Sequence, residues 1–432
     1  MDNVTLLIAI TASLIILIKR PAVGLCIFIL VLLLYPGYLV IPIEGLKFSA
    51  QRIVVLVLFL CSVLDKNLLS KFHFHFLDFL VLASYIFGFI TLSSSMQFED
   101  YFKTYLGTFL DSTFVYFLVR LIIIDKKSFE LLIKFATIAL CVNAVLGIRE
   151  SITGLSPYLK LYLLCPWNEV GKLTTLNERS GFFRACGSFS VHILFGLSFV
   201  IFTPLLLILR KCQGIWKKLV YLFLLLAILG CMSSMSSGPL LGLITVSLCL
   251  FLKCHPRYIK STLLYLVLMI IFVNFLSNRS FFYVVGRFTF DEGNSWYRAR
   301  LMDVAIEKLP DYWVSGYGMK DPGWGPILDG RKKTDLCNAY VLQAVQFGLG
   351  GLILFIGILI YSMVRIYRYI HKSTDKWGEE AAWLVGGALI SLIVVFFSVG
   401  LFGKLLPLFN ILLGLVGFFQ AKIYSAPHKR IA

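Results

Sequence analysis

The residues best suited to chemistry in this sequence are arginines that stand beside small residues at the edges of long apolar runs. Arg179 and Arg184 lie in the stretch 177–189, just before the apolar run that begins near position 191. A guanidinium group presents a planar fork of donors that can bond two phosphate oxygens without a metal. The pair therefore predicts a phosphate-binding site, and the alternative is that both side chains extend toward lipid headgroups.

A second group of cations lies in the polar stretch 278–338. Asn294 or Ser295 is suited to cap a helix that runs to about Leu309, and Pro310 should end it. The apolar stripe expected on this helix comprises Tyr297, Leu301, Val304 and Ala305.

Arg298 and Arg300 lie on other faces of the same predicted helix. Both are candidates to bind an anion at the end of the molecule. Arg300 can instead pair with Asp303 or Glu307 one turn away. A solvated amphipathic helix is therefore the alternative interpretation of the charges.

Aromatic, acidic and amide side chains complete this polar stretch. The aromatic residues are Trp313, Tyr317 and Trp324. Their rings suit either stacking on sugars or a headgroup belt. Asp335, Asn338 and Tyr340 lead into the next apolar run, where they predict either a mixed-charge binding site or a plain polar helix cap.

Charges inside apolar runs are few, and none predicts a metal or cofactor site. Asp111 is the clearest, with Lys103 two turns before it, and such residues often serve transport. The ten cysteines show no metal-ligand spacing. A Cys165–Cys186 disulfide is one option if that side of the molecule is oxidising. We expect no metal and no nucleotide cofactor, because no glycine-rich phosphate loop is present.

The elements that hold these residues are predicted to be membrane-spanning helices. The 432 residues are 59% hydrophobic, well above the usual content of a soluble protein. The apolar runs do not alternate as strands of a β-barrel would. The sequence therefore predicts an all-α, polytopic transmembrane bundle of about 12 or 13 spans. The expected spans are 4–18, 22–42, 50–64, 76–93, 102–123, 129–148, 191–209, 219–234, 238–252, 262–277, 339–364, 381–401 and 405–421.

Lysine and arginine are concentrated in alternate connections, which predicts the orientation of the chain. The opposite set of short connections holds only about four cations, Lys47, Arg52, Lys103 and Lys404. The N-terminus is then outside and the C-terminus cytoplasmic. The net charge of +17 follows largely from this rule and does not predict nucleic-acid binding. The expected regions are helices in 1–148, an outer loop at 149–190, helices in 191–277, a large outer loop at 278–338, and helices with a tail in 339–432.

Two pairs of segments resemble the O-antigen ligase and polymerase superfamily of bacterial polysaccharide assembly. The stretch 184–189 with Gly196 resembles the family pattern R-x-x-G-[ST]-F…G, and 236–241 resembles S-[RS]-G-P-L-L. Arg298, followed by Pro310 and 316–318, resembles R-x…P-x-x-G-x-G. The stretch 335–351 resembles [DH]-N-x-Y-L…G-x-x-G. The order of these segments agrees over about residues 180–365.

The chain differs from the ligase branch at two positions. Ser237 stands where ligases usually have arginine, and Cys337 stands where they have histidine. The resemblance therefore favours the oligosaccharide repeat-unit polymerase branch, a metal-independent glycosyltransferase of the bacterial inner membrane. The alternatives are a ligase that transfers glycan to lipid A core, a flippase or transporter, and a non-enzymatic assembly scaffold.

The resemblance implies a polyprenyl-diphosphate-linked oligosaccharide as substrate, held among membrane lipid. A chain-length regulator and a repeat-unit flippase are implied partners. We expect Arg184 and Arg298 to bind the diphosphate, with Arg179 and Arg300 in support.

The remaining assignments concern the acceptor sugar. Asp335 is expected to orient or deprotonate the incoming hydroxyl. Asn338 and Tyr340 are expected to hold sugar or phosphate oxygens. The product is expected to be O-antigen, capsule or exopolysaccharide.

Overall fold

The structure is a computed structural model that describes residues 2–43, 46–93, 98–158, 178–276 and 292–425. It is 77% helical with almost no sheet, so the predicted all-α class is confirmed. Among the described residues, eight helices are long and apolar enough to cross a membrane, and five shorter apolar helices of 10–17 residues accompany them. Each predicted span coincides with one of these helices, whereas the full number of crossings remains a prediction.

The N-terminal region folds into apolar helices joined by short connections. Its elements are α1 (Asp2–Ile18), α2 (Pro21–Leu34), β1 (Val40–Ile43), β2 (Leu46–Ser49), α3 (Ala50–Leu64), α4 (Lys66–Leu69), α5 (Phe76–Leu92), α6 (Phe98–Asp111), α7 (Thr113–Ile122) and α8 (Lys126–Thr153). The span expected at 22–42 ends at Leu34, because Pro36 and Gly37 break the helix before an antiparallel hairpin in which Val40 pairs with Ser49.

The central region begins with a two-stranded hairpin and continues as four helices. Its elements are β3 (Glu178–Arg179), β4 (Phe182–Phe183), α9 (His192–Leu206), α10 (Ile215–Ser233), α11 (Ser237–Cys254) and α12 (Ile259–Leu276). Helix α9 is buried over most of its length, against α8, α10 and α11. Its sequence is apolar on every face because protein surrounds it on every face. Helix α12 shows the opposite pattern, since its described side chains are largely exposed.

The C-terminal region contains a compact loop and three helices. Its elements are α13 (Glu292–Glu307), α14 (Leu309–Tyr312), α15 (Gly325–Leu328), α16 (Ala339–Lys372), α17 (Lys376–Val395) and α18 (Leu405–Ser425). The predicted stripe on α13 is buried, as expected. The predicted caps are wrong, because Asn294 and Ser295 lie inside α13. The break before Pro310 is confirmed, since α13 ends at Glu307 and Pro310 lies in the first turn of α14.

The aromatic residues of this loop form a core of their own. Trp324 is 2% exposed and packs with Tyr312 and Tyr317 at ring-centroid distances of 5.7 and 6.1 Å. The expectation that Trp324 serves sugar stacking or a headgroup belt is therefore wrong. Trp313, by contrast, is 55% exposed.

Candidate functional site

The hairpin β3–β4 brings Arg179 and Arg184 onto the turn between α10 and α11. Ser180 and Gly181 have φ values of 53° and 81°, the left-handed conformation that a tight two-residue hairpin turn requires. Arg179 Nη1 donates to Met235 O at 3.2 Å, and Arg184 Nη2 donates to Ser236 Oγ at 3.0 Å. Both guanidinium groups therefore converge on one turn, although four residues lie between them in the sequence.

Close packing fixes this turn against α9. A Cβ on Gly196 would lie 2.6 Å from Pro239 Cγ and 2.6 Å from Ser234 Oγ, so only glycine allows this approach. Ala185 N also donates to Ser233 O at 3.0 Å. The segments 184–189 and 236–241, which are far apart in the sequence, are thus one packed unit.

A buried ammonium lies beneath the segment that follows Arg184. Lys404 Nζ donates to Tyr35 O and Ser188 O at 2.9 Å each, and it lies 4.5 Å from the centroid of the Phe189 ring. Burial holds the pKa of Lys404 well below its usual value. The amino group of Lys404 thus caps the C-terminal end of α2, where backbone carbonyls lack helical partners, and joins it to the arginine segment.

Sequence reasoning counted Lys404 only as a cation of a short connection. Its isolation between two apolar runs was the available signal, because a lone cation in such a place is often functional or bound to backbone carbonyls. Glu150 completes the support of this segment, since its Oε2 accepts from Gly187 N at 2.9 Å.

The compact loop of the C-terminal region, residues 292–338, is called the second loop below. It holds Arg298 and Asp335 near each other through Tyr297 and Cys337. The Tyr297 hydroxyl donates to Asp335 O at 3.1 Å and accepts from Asp335 N at 2.9 Å. The positive charge of Arg298 acts on the Cys337 side chain. Burial raises the pKa of the Cys337 thiol to about 11, while the positive charge of Arg298 opposes this rise. The Asp335 side chain is exposed and therefore accessible to a substrate.

The side chains of Asn338 and Tyr340 form hydrogen bonds within the bundle. Asn338 Oδ1 accepts from Tyr340 N and Val341 N at 2.9 and 3.1 Å, which caps α16. Asn338 Nδ2 donates to Phe397 O at 3.0 Å, and the Tyr340 hydroxyl donates to Ile393 O at 2.9 Å. These are the contacts of a polar helix cap, and a role in holding sugar or phosphate remains a prediction.

The residues just after α17, Phe397 and Ser398, lie near the surroundings of both Arg184 and Arg298. A Cβ on Gly238 would lie 3.5 Å from Ser398 Oγ, beside the turn that binds Arg184. Phe397 O accepts from Asn338, beside Cys337 and Arg298. The residues just after α17 therefore contact both the turn bonded to Arg184 and the Asn338 side chain. Arg300, half-buried on α13, adds a further cation to the second group.

Asp111, the charge inside an apolar run that was considered for transport, forms an ion pair in the structure. Arg52 Nε donates to both carboxylate oxygens of Asp111 at 3.1 and 3.2 Å, and its Nη2 lies 2.5 Å from Oδ2. A Cβ on Gly107 would lie 2.9 Å from the same guanidinium, so the pair is enclosed on one side. This forked ion pair neutralises the Asp111 carboxylate.

A second ion pair is fully buried at the junction of α5 and α7. Arg120 Nε and Nη2 donate to the two oxygens of Asp78 at 3.0 and 3.1 Å, and the Tyr116 hydroxyl donates to the same carboxylate at 2.6 Å. The Asp78 carboxylate is therefore neutralised inside the bundle.

The structure gives no evidence for a metal site among the described residues, and it does not test the suggested disulfide. No group of three or more His, Cys, Asp or Glu side chains is placed to hold a metal within the described ranges. Cys165, the suggested disulfide partner of Cys186, lies outside the described residues. No protein-family model matches the chain, and no curated protein matches it.

Proposed function

We propose that this protein is a membrane polymerase that joins polyprenyl-diphosphate-linked oligosaccharide units at the outer face of the bacterial inner membrane. The observation that carries the proposal is the convergence of Arg179 and Arg184 on the turn that Gly196 packs against Pro239. Two segments with family resemblance are thus in contact although they are distant in sequence. Such contact is expected of a functional unit and supports the assignment.

The proposed reaction transfers a glycan from its diphosphate carrier to a sugar hydroxyl. The acceptor oxygen forms a bond to the anomeric carbon of the donor, and the bond from that carbon to the phosphate oxygen breaks. Polyprenyl diphosphate leaves with the bonding electrons. The proton of the acceptor hydroxyl passes to the exposed carboxylate of Asp335.

Arginines stabilise the charge that develops on the leaving diphosphate. Arg184 and Arg298 supply the principal cations, and Arg179 and Arg300 assist them. Arg184 is suited to this role because it is half-buried and donates to the hydroxyl of Ser236, a contact that orients the guanidinium. In the proposed orientation, the N-terminus is outside and the C-terminus is cytoplasmic.

The decisive experiment deletes the gene and restores it with single variants. With Arg184→Ala or Arg298→Ala, we expect the polysaccharide gel to show single repeat units in place of long chains, because loss of one charge-stabilising donor slows such reactions by about 10²–10³-fold. Lys217→Ala is the matched control, since this exposed cation belongs to α10 and lies away from the turn. Normal polymer from both arginine variants would overturn the diphosphate assignment.

The same gel distinguishes the alternatives. Long chains that are not attached to lipid A would indicate a ligase. A transporter is the weaker alternative because Asp111, the charge best placed to bind a solute, forms an ion pair with Arg52. Loss of polymer with repeat units retained inside the cell would indicate transport.

A further inference from the structure

The second loop meets α16 where that helix is broken. Gly348 has φ 71° and ψ −175°, which interrupts the helical hydrogen bonds. Leu349 N accordingly bonds to Trp313 O at 2.8 Å, and Tyr317 N bonds to Val345 O at 2.6 Å. A break within a membrane helix requires such partners, because lipid offers none.

The length of α16 fixes the level of this break in a bilayer. The helix is broken at Gly348, so only its second part, from Leu349 onward, can cross the hydrocarbon layer, which is roughly 30 Å thick. Its basic end begins at Arg365. Counting back from Arg365 to Leu349, the first residue after the break, gives a rise of roughly 24 Å. The break at Gly348 therefore lies at the opposite boundary of the hydrocarbon layer.

Two apolar side chains are exposed beside this break. Trp313 is 55% exposed and Val314 is 62% exposed. A Cβ on Gly348 would lie 2.4 Å from Val314 O, so the backbone of the pair lies directly against the broken helix. Tryptophan prefers the boundary between hydrocarbon and headgroups, because its ring is apolar and its N–H is polar.

We infer that Trp313 and Val314 form an anchor that inserts into the lipid interface at this end of the bundle. The partner is the bilayer surface at the level of the headgroup–acyl boundary, and continuity with the spanning helix α16 identifies it. The anchor holds the second loop against the membrane and fixes the height of Arg298 and Asp335 above it. The inference requires only that α16 spans the membrane, and it does not depend on the proposed reaction.

Trp296 provides a matched control within the same loop. It is 44% exposed, but its neighbour Tyr297 bonds to Asp335, four residues before α16 begins at Ala339. Trp296 therefore lies beside the polar stretch that carries the exposed Asp335 side chain, where we expect water to reach its ring.

The experiment uses the full chain in phosphatidylcholine vesicles with or without brominated acyl chains. The emission lost in Trp313→Phe reports Trp313, and the emission lost in Trp296→Phe reports Trp296. We expect brominated lipid to quench the larger part of the Trp313 emission, and aqueous iodide to quench the Trp296 emission. Iodide quenching of Trp313 without an effect of brominated lipid would overturn the inference.

A second variant tests the anchor without removing the native Trp313 ring. Val314→Trp adds an indole at the same level while Trp313 remains in place. We expect the added emission to be quenched by brominated lipid and protected from iodide. Added emission that responds only to iodide would contradict the anchor, whether or not Trp313→Phe can be purified.

Discussion

The two arginine-bearing regions of this protein are supported in different ways. Arg184 is bonded to a turn of the bundle itself, above the buried ammonium of Lys404. Arg298 belongs to a loop with its own aromatic core, which includes Tyr312 and Trp324, and it meets the bundle chiefly at α16. Changes near Arg184, and at the break in α16 that receives the second loop, should therefore alter the stability of the whole bundle, whereas changes on the surface near Arg298 should act locally.

The largest effect is expected where the second loop enters the break in α16. Gly348→Ala would place a Cβ 2.4 Å from Val314 O at a backbone φ of 71°. We expect the free energy of unfolding to fall by about 3 kcal/mol, from backbone strain and steric overlap combined. Protease cleavage within 309–336 should increase in parallel.

Gly357→Ala is the control for this substitution. Gly357 lies in the same helix, and a Cβ added there would meet no other atom within 4 Å. Alanine there should leave stability unchanged or improve it slightly, because alanine favours helix more than glycine. Equal protease cleavage of the two variants would show that the loop does not depend on the break.

The next largest effect is expected at the support of the first region. Lys404→Met removes the donor to Tyr35 O and Ser188 O. We expect the free energy of unfolding to fall by about 2 kcal/mol, because two buried carbonyls lose a hydrogen bond. Thermal unfolding in detergent measures the change, with exposed Lys217→Met as the control. Equal stability of the two variants would contradict the supporting role.

A smaller effect on stability is expected at the contact of Arg184 with its turn. Ser236→Ala removes the hydroxyl that accepts from Arg184, and we expect a loss of about 1.5 kcal/mol. Polymer yield should fall more than stability does, because the guanidinium loses its orientation. Ser236→Thr should restore both, and Ser247→Ala, at an exposed helix position, is the control. Normal yield with Ser236→Ala would separate this turn from the reaction.

The smallest effect is expected at the surface of the second region. Arg331 lies 5.7 Å from the centroid of the Tyr297 ring, and its guanidinium is largely exposed. Arg331→Ala should lower stability by about 0.5 kcal/mol, as for other exposed cation–ring contacts. Exposed Lys332→Ala should have no effect, and chemical unfolding can compare the two. A loss as large as that of Lys404→Met would mean that the two regions are supported alike.

Much of the fold followed from the hydropathy of the sequence. Apolar runs such as 191–209 and 339–364 predicted helices at the correct places, because the bilayer requires backbone groups to bond within each segment. The stripe on α13 was also correct. The hairpin at Val40–Ser49 was missed, since its first strand, Val40–Ile43, is apolar and continues the run of α2.

The sequence by itself determined that this chain folds into apolar helices and that its arginines lie at their ends. It could not determine which of these ends meet. The convergence of Arg184 with Ser236, the capping of α2 by Lys404 and the break at Gly348 were decided by tertiary packing alone. The reason is that side-chain periodicity reports the environment of one helix, whereas hydrogen bonds between distant segments depend on how all the helices pack.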